Sequence, residues 1–271
     1  MENMEKQLNK QEETRTAEEI EKDPTTIKFI NSLNSLIEKE FEDLDIEKEP
    51  KEINSEMVHF LNKDGYKKYF PEEDRAKIVL SPEQSNIYLN LDSFKSIEEV
   101  YATITHEFLH LQSFLKKSKD GIRTGYNIVK EKEEHFTALN EFIINKLTKE
   151  ILKKNEKELK EENIIIEKNF PSIKYDSPIL NTIINKIAEK ENKEEEEIWE
   201  IFKKSLFTGN LMHLRKIEKT FGKNSLKLLS KFYSKEKSRG ERQEEHFDVL
   251  NYFRFDNPEE KEKILKKYLN Y

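Results

Sequence analysis

His106, Glu107 and His110 form an HExxH sequence, His106-Glu107-Phe108-Leu109-His110. Its chemistry follows from helix geometry. Residues four apart on an α-helix lie on nearly the same side of the axis, so both imidazoles can reach one ion at the bond lengths zinc uses. Glu107 is one residue on, beside the ion rather than on it. From there its carboxylate can take a proton from a water polarised by the metal and later return it to a leaving amine.

The surroundings of the motif are short of charge. Asp, Glu, Lys and Arg make up 38% of the 271 residues, yet VYATITHEFLHLQSFL (100–115) holds one formal charge, Glu107. Ile97, Val100, Ile104, Phe108, Leu111 and Leu115 fall on one helical stripe, while the opposite side carries Ala102, Leu109 and Ser113 rather than lysines. A helix sparing of charge on both sides is buried on both sides. FTALNEFIIN (136–145) repeats the pattern with Glu141 as its single charge. Two carboxylates in apolar windows, without a local Lys or Arg, call for a compensating cation, which a divalent metal held by two imidazoles would supply.

A hydrolytic zinc site needs a third protein ligand and an open position. The pattern with an immediate third His, HExxHxxGxxH, is absent, since Ser113 and Lys116 occupy those places. A Glu from a following helix is the other option. Glu141 is preferred over Glu131, Glu133 and Glu134, which sit among lysines.

The elements that would position these residues are mostly helices. Six Gly and seven Pro argue for long helices over many tight turns. Residues 1–24 carry few apolar anchors and are expected to form a flexible tail. After Asp23-Pro24, the spacing of Ile27, Ile30, Leu33, Ile37, Phe41 and Leu44 predicts an amphipathic helix. KIVL (77–80) and NIYLNL (86–91) predict short strands, the only clear β signal. A capping box, Ser96 to Glu99, opens a helix expected over 96–118. A loop with Gly121 and Gly125 and a second long helix over 131–154 come next. The expected organisation is a catalytic region at 25–155 and a helical C-terminal part at 156–271, an α+β class that is predominantly α-helical.

Composition excludes several classes. Without cysteine there is no disulfide, thiolate ligand or thiol nucleophile. A net charge of −7 argues against nucleic acid as a partner, and no apolar run is long enough for a membrane span. The N-terminus lacks the apolar core of a secretory signal, so a cytoplasmic location is expected.

In these pieces the chain resembles the gluzincin metallopeptidases, in which HExxH on one helix is completed by Glu on a second. The matching stretches are NIYLNL (86–91), THEFLHLQSF (105–114) and ALNEFIINKLT (138–148), with a weaker likeness over 174–222. The resemblance implies a zincin-like fold and one Zn2+ per chain on His106, His110 and Glu141. Glu107 would be the general base, and a peptide or protein the substrate. It also makes the strand at 86–91 the edge along which a peptide would pair. Where the family pattern has Gly, Thr and a second Glu, this chain has Phe142, Ile144 and Asn145. Asn145 stands where a carboxylate often bonds a zinc histidine, and keeps an acceptor without the charge.

Peptide hydrolysis further needs a donor for the developing oxyanion. Tyr175, His213, Tyr126 and His135 are all candidates, with Tyr175 and His213 put forward, His213 because SLFTGNLMHL (205–214) is a third window without charge. Tyr126 and His135 lie between the two metal helices, while His59 and His246 read as structural or exposed. Two other readings stand beside the peptidase: an inactive zincin scaffold that binds a partner, and a metal-free helical interaction protein.

Overall fold

In the computed structural model, residues 20–21, 23–71, 75–79, 85–118, 121–130, 133–161, 164, 177–232 and 239–269 are described. Helix α1 (Pro24–Asp43) opens with the Asp23 carboxylate accepting from Thr25 N–H at 2.8 Å and with Pro24 in the first turn, where its missing N–H costs nothing. Of the stripe that the spacing predicts, Ile30, Leu33, Ile37, Phe41 and Leu44 are buried and Ile27 is half-buried, while Phe29 and Leu36 join them in the core. Ile20 is buried as well, so the core reaches into the segment expected to be a tail; residues 1–19 and 22 lie outside the described residues.

Strand β1 (Val58–Leu61), helix α2 (Lys63–Tyr69), β2 (Ala76–Val79) and β3 (Asn86–Asn90) come next in the chain. The three strands form one sheet in the order β1-β3-β2. β3 pairs parallel with β1 and antiparallel with β2. It is therefore the centre of the sheet, not the edge the family resemblance implies. Val58, Phe60, Ile87 and Leu89 turn inward together, because side chains two apart share a face.

Helix α3 (Ile97–Gln112) carries HExxH. Ser96 caps it, accepting from Glu99 N–H, and the buried Glu99 carboxylate pairs with the Arg75 guanidinium at the root of β2. Periodicity extends this helix to 118, but it ends at Gln112. Ser113 Oγ bonds back to Leu109 O, and Phe114 N–H leaves the helix to reach Leu206 O at 2.9 Å.

Beyond Phe114 the chain builds a second sheet rather than a loop. β4 (Leu115–Ser118), β5 (Gly121–Thr124), β6 (Asn127–Lys130) and β7 (Glu133–His135) form an antiparallel meander. β5 and β6 are joined by a two-residue turn, Gly125-Tyr126, with Gly125 at φ +56, where a side chain is disfavoured. Helix α4 (Thr137–Lys154) then bears Glu141; it starts later than the expected 131, because 133–135 belong to β7.

The rest is helical: α5 (Glu156–Glu161), α6 (Pro178–Glu191), α7 (Glu195–Thr208), α8 (Leu214–Phe221), α9 (Ser225–Lys231), α10 (Arg239–Arg254) and α11 (Pro258–Leu269). The molecule is α+β and predominantly helical, with two small sheets. One continuous apolar core runs from α1 through α3 and α4 into α11. No helix among the described residues is long and apolar enough to cross a membrane.

A buried ion cluster joins α1, α4 and α7. Lys203, 5% exposed, places its ammonium 2.9 Å from Glu150, 3.3 Å from Glu40 and 3.5 Å from Glu196. Trp199 Nε1–H also donates to Glu150. Burial pushes the Glu40 carboxyl up while Lys203 pulls it down, so the ammonium is what keeps that carboxylate tolerable inside. Lys203→Met should cost about 3 kcal/mol by taking the nearer ammonium from the buried Glu40, which keeps only the half-exposed Lys154 at 3.7 Å. Urea unfolding at neutral pH checks this, and Glu40→Gln/Lys203→Met should recover part of the loss.

Candidate metal centre

Helix α3 buries Val100, Tyr101, Ala102, Ile104, Thr105, Phe108, Leu109 and Leu111, which covers both of the sides expected to be covered. Thr103, His106, Glu107 and His110 remain partly accessible. Their spacing of three and four makes a single narrow stripe along the helix. On α4 the same is true of Glu141 and Asn145, one turn apart, between Leu139, Phe142, Ile143 and Ile144 in the core. The two accessible stripes face each other.

There His106, His110 and Glu141 converge. The two Nε2 atoms are 3.1 Å apart, Glu141 Oε2 is 3.3 Å from His106 Nε2, and Glu141 Oε1 is 3.3 Å from His110 Nε2. One ligand atom from each residue can be chosen so that all lie within 4.8 Å of one another. Bonds of about 2.0–2.1 Å at tetrahedral angles put neighbouring ligand atoms about 3.3–3.4 Å apart. The imidazole pair and each imidazole's nearer carboxylate oxygen stand at about such a spacing, with Glu141 turning a different oxygen to each ring, and the donor set, two imidazoles and a carboxylate, is one that zinc uses at hydrolytic sites.

The electrostatics also call for a cation. Burial alone would lower the pKa of His110, but the charge and hydrogen bond of Glu141, with the charge of Glu107, outweigh it and raise the ring to about 9. Burial likewise works to raise Glu141, and the charges and hydrogen bonds of His110 and His106 hold its carboxyl well below the usual range. The Glu141 side chain is 40% exposed, so water screens part of this attraction. A proton on His110 and a metal ion would answer the same demand for positive charge.

Compared with known proteins, the chain matches no family model, no curated protein and no solved structure. The functional reading therefore rests on the site itself.

The remaining candidates lie elsewhere. Tyr175 is outside the described residues. His213 sits just before α8 with both ring nitrogens engaged, Nδ1 3.0 Å from Ser205 Oγ and Nε2 2.8 Å from Tyr126 Oη. It is 7% exposed, and Tyr126, itself fully buried, donates to Phe202 O. These two residues form a core hydrogen-bond chain rather than a donor aimed at a cleft. His135 ends β7, 3.8 Å from Glu133. Among the described residues Asn145 makes no hydrogen bond to either metal-site imidazole. His59 stacks on Tyr88 and bonds Asn86, as a structural residue does. His246, on α10, is half-buried with its ring against Phe142 and Phe232, which brings it beside the turn that carries Glu141. No spacing in the sequence signals that neighbour.

Burial lowers the His213 ring to about 4, with the Lys216 charge adding to the effect. An imidazole that stays neutral in the folded state but takes a proton near pH 6.5 when unfolded makes stability fall as pH drops from about 6.5 towards 4. The stability advantage of the wild type over His213→Gln, read from urea midpoints, should narrow by about 2–3 kcal/mol between pH 7 and pH 4.5.

Proposed function

We propose that this chain is a zinc-dependent peptidase. The observation that carries the reading is the convergence of His106, His110 and Glu141 to ligand spacing, with Glu107 on the same accessible stripe of α3. Zinc held there would supply Lewis acidity toward water and a peptide carbonyl. Glu107 is the one carboxylate of HExxH that is not a ligand, so its Oε atoms accept the proton of the attacking water and return it to the leaving nitrogen.

With β3 at the centre of its sheet, an extended peptide has β1 or β2 for a partner strand. β2 is favoured. It borders the sheet antiparallel to β3, and the Arg75–Glu99 pair ties its root to the first turn of α3. Backbone pairing along β2 would lay a peptide over the helix that bears HExxH.

One observation favours an inactive metal scaffold as the second reading: His213 and Tyr126, two of the residues considered as oxyanion donors, are spent on partners in the core. A single set of variants separates the two. Elemental mass spectrometry after gel filtration should find about one zinc per chain in the wild type and in Glu107→Gln, and little in Glu141→Ala. Against a peptide library, Glu107→Gln should lose at least about 100-fold in rate. Zinc retained with no cleavage by the wild type supports the scaffold, and a folded chain that takes up no zinc ends both readings.

A further inference from the structure

His110 and Glu141 stand 31 positions apart in the chain, on helices joined by the whole β4–β7 meander. A metal triad spread over two helices works only if the rotation of one about its own axis is fixed relative to the other. Apolar packing between α3 and α4 sets their approach but is itself non-directional, so a hydrogen-bonded link between the two adds a constraint on rotation. A directional link is present. Phe114, two residues past the end of α3, accepts at its carbonyl from Gly125 N–H at 2.7 Å. The next N–H, that of Tyr126, donates to Asn140 Oδ1 at 2.9 Å. Asn140 is the residue before Glu141 and is 2% exposed.

The close approach needs Gly125. A Cβ there would lie 2.6 Å from Asn140 Oδ1 and 2.7 Å from Leu206 Cδ1, at a φ that already disfavours a side chain. The strut is braced on its far side by α7. Phe114 N–H reaches Leu206 O, Arg123 Nη2 donates to Gly209 O at 2.7 Å, and Tyr126 Oη donates to Phe202 O. Two hydrogen bonds thus lead from the end of the HExxH helix to the residue beside the third ligand.

We propose that Asn140 is a positioning residue for the metal: by holding Tyr126 N–H it fixes the rotation of α4 and so aims the Glu141 carboxylate at the histidine pair. This rests on the metal reading of His106, His110 and Glu141. It differs from a merely stabilising role because metal affinity, not only folding, depends on it.

The test is zinc titration against a chromophoric chelator, with urea unfolding of the metal-free protein, for wild type and four variants. Asn140→Leu removes the acceptor, Asn140→Asp keeps it, and Gly125→Ala pushes it away. Thr148→Val serves as a control: it lies buried on the same helix, and its hydroxyl bonds only within that helix, to Ile144 O. Asn140→Leu and Gly125→Ala should weaken zinc binding by about 10–100-fold, with Asn140→Asp within about threefold of wild type. Thr148→Val should lose stability and keep its affinity. Unchanged affinity in folded Asn140→Leu or Gly125→Ala overturns the proposal, as does an equal loss in Thr148→Val. A wild type that folds and binds no zinc overturns the metal reading itself, a separate outcome.

Discussion

The structure turns on a carboxylate held between two imidazoles where little other charge is available. Glu141 stands in a window of α4 whose other residues are neutral, and it meets His106 and His110 from a window of α3 whose other charge is Glu107. Most of each helix is given to the core, so the cleft between them is one stripe wide. A carboxylate in such a place demands positive charge: the two imidazoles hold Glu141 in its charged form, and a proton on His110 or a metal ion between the three would supply that charge.

That demand is legible in the sequence because charge is plentiful elsewhere. Against a 38% background, a single Glu in sixteen residues marks burial and a polar task together. The same reasoning fails at His213. Its window also lacks charge, but it holds no carboxylate, and a neutral imidazole can be satisfied by a serine and a tyrosine inside the core. Absence of charge signals burial. Only a charge kept within that absence signals a site.

The apolar stripes mark the helices, and α1, α3 and α4 lie where the spacing puts them. Their ends are another matter. Leu115 continues the stripe of α3 in register, so periodicity cannot show that the chain leaves the helix at Ser113; what decides it is a hydrogen bond from Phe114 to Leu206, in a helix of the distant C-terminal part. The meander escapes for a related reason. None of the residues of β4 to β7 with a described burial is fully buried, so no alternation of apolar and polar residues marks the strands. The place of β3 is equally out of reach. Its parallel partner β1 is a short strand well before it in the chain, separated from it by α2 and β2, and strand order depends on such non-local pairing.

These misses share a physical origin, which bears on how the site is built. What spacing along a helix determines is which residues share a face, and that suffices to bring His106 and His110 together and to set Glu107 beside them. What it cannot determine is how one helix is turned against another. That is fixed by contacts between distant segments, and here they pass through residues with little signal of their own: a glycine in a hairpin turn, the backbone N–H after it, and an asparagine that reads in the sequence only as the neighbour of Glu141. The meander that hides from periodicity is therefore the part that relates the two ligand-bearing helices. Its turn is bonded to α4 through Asn140 and to α7 through Arg123 and Tyr126, so the C-terminal helices are linked to the helix that bears Glu141 without adding a residue to the His106, His110 and Glu141 cluster.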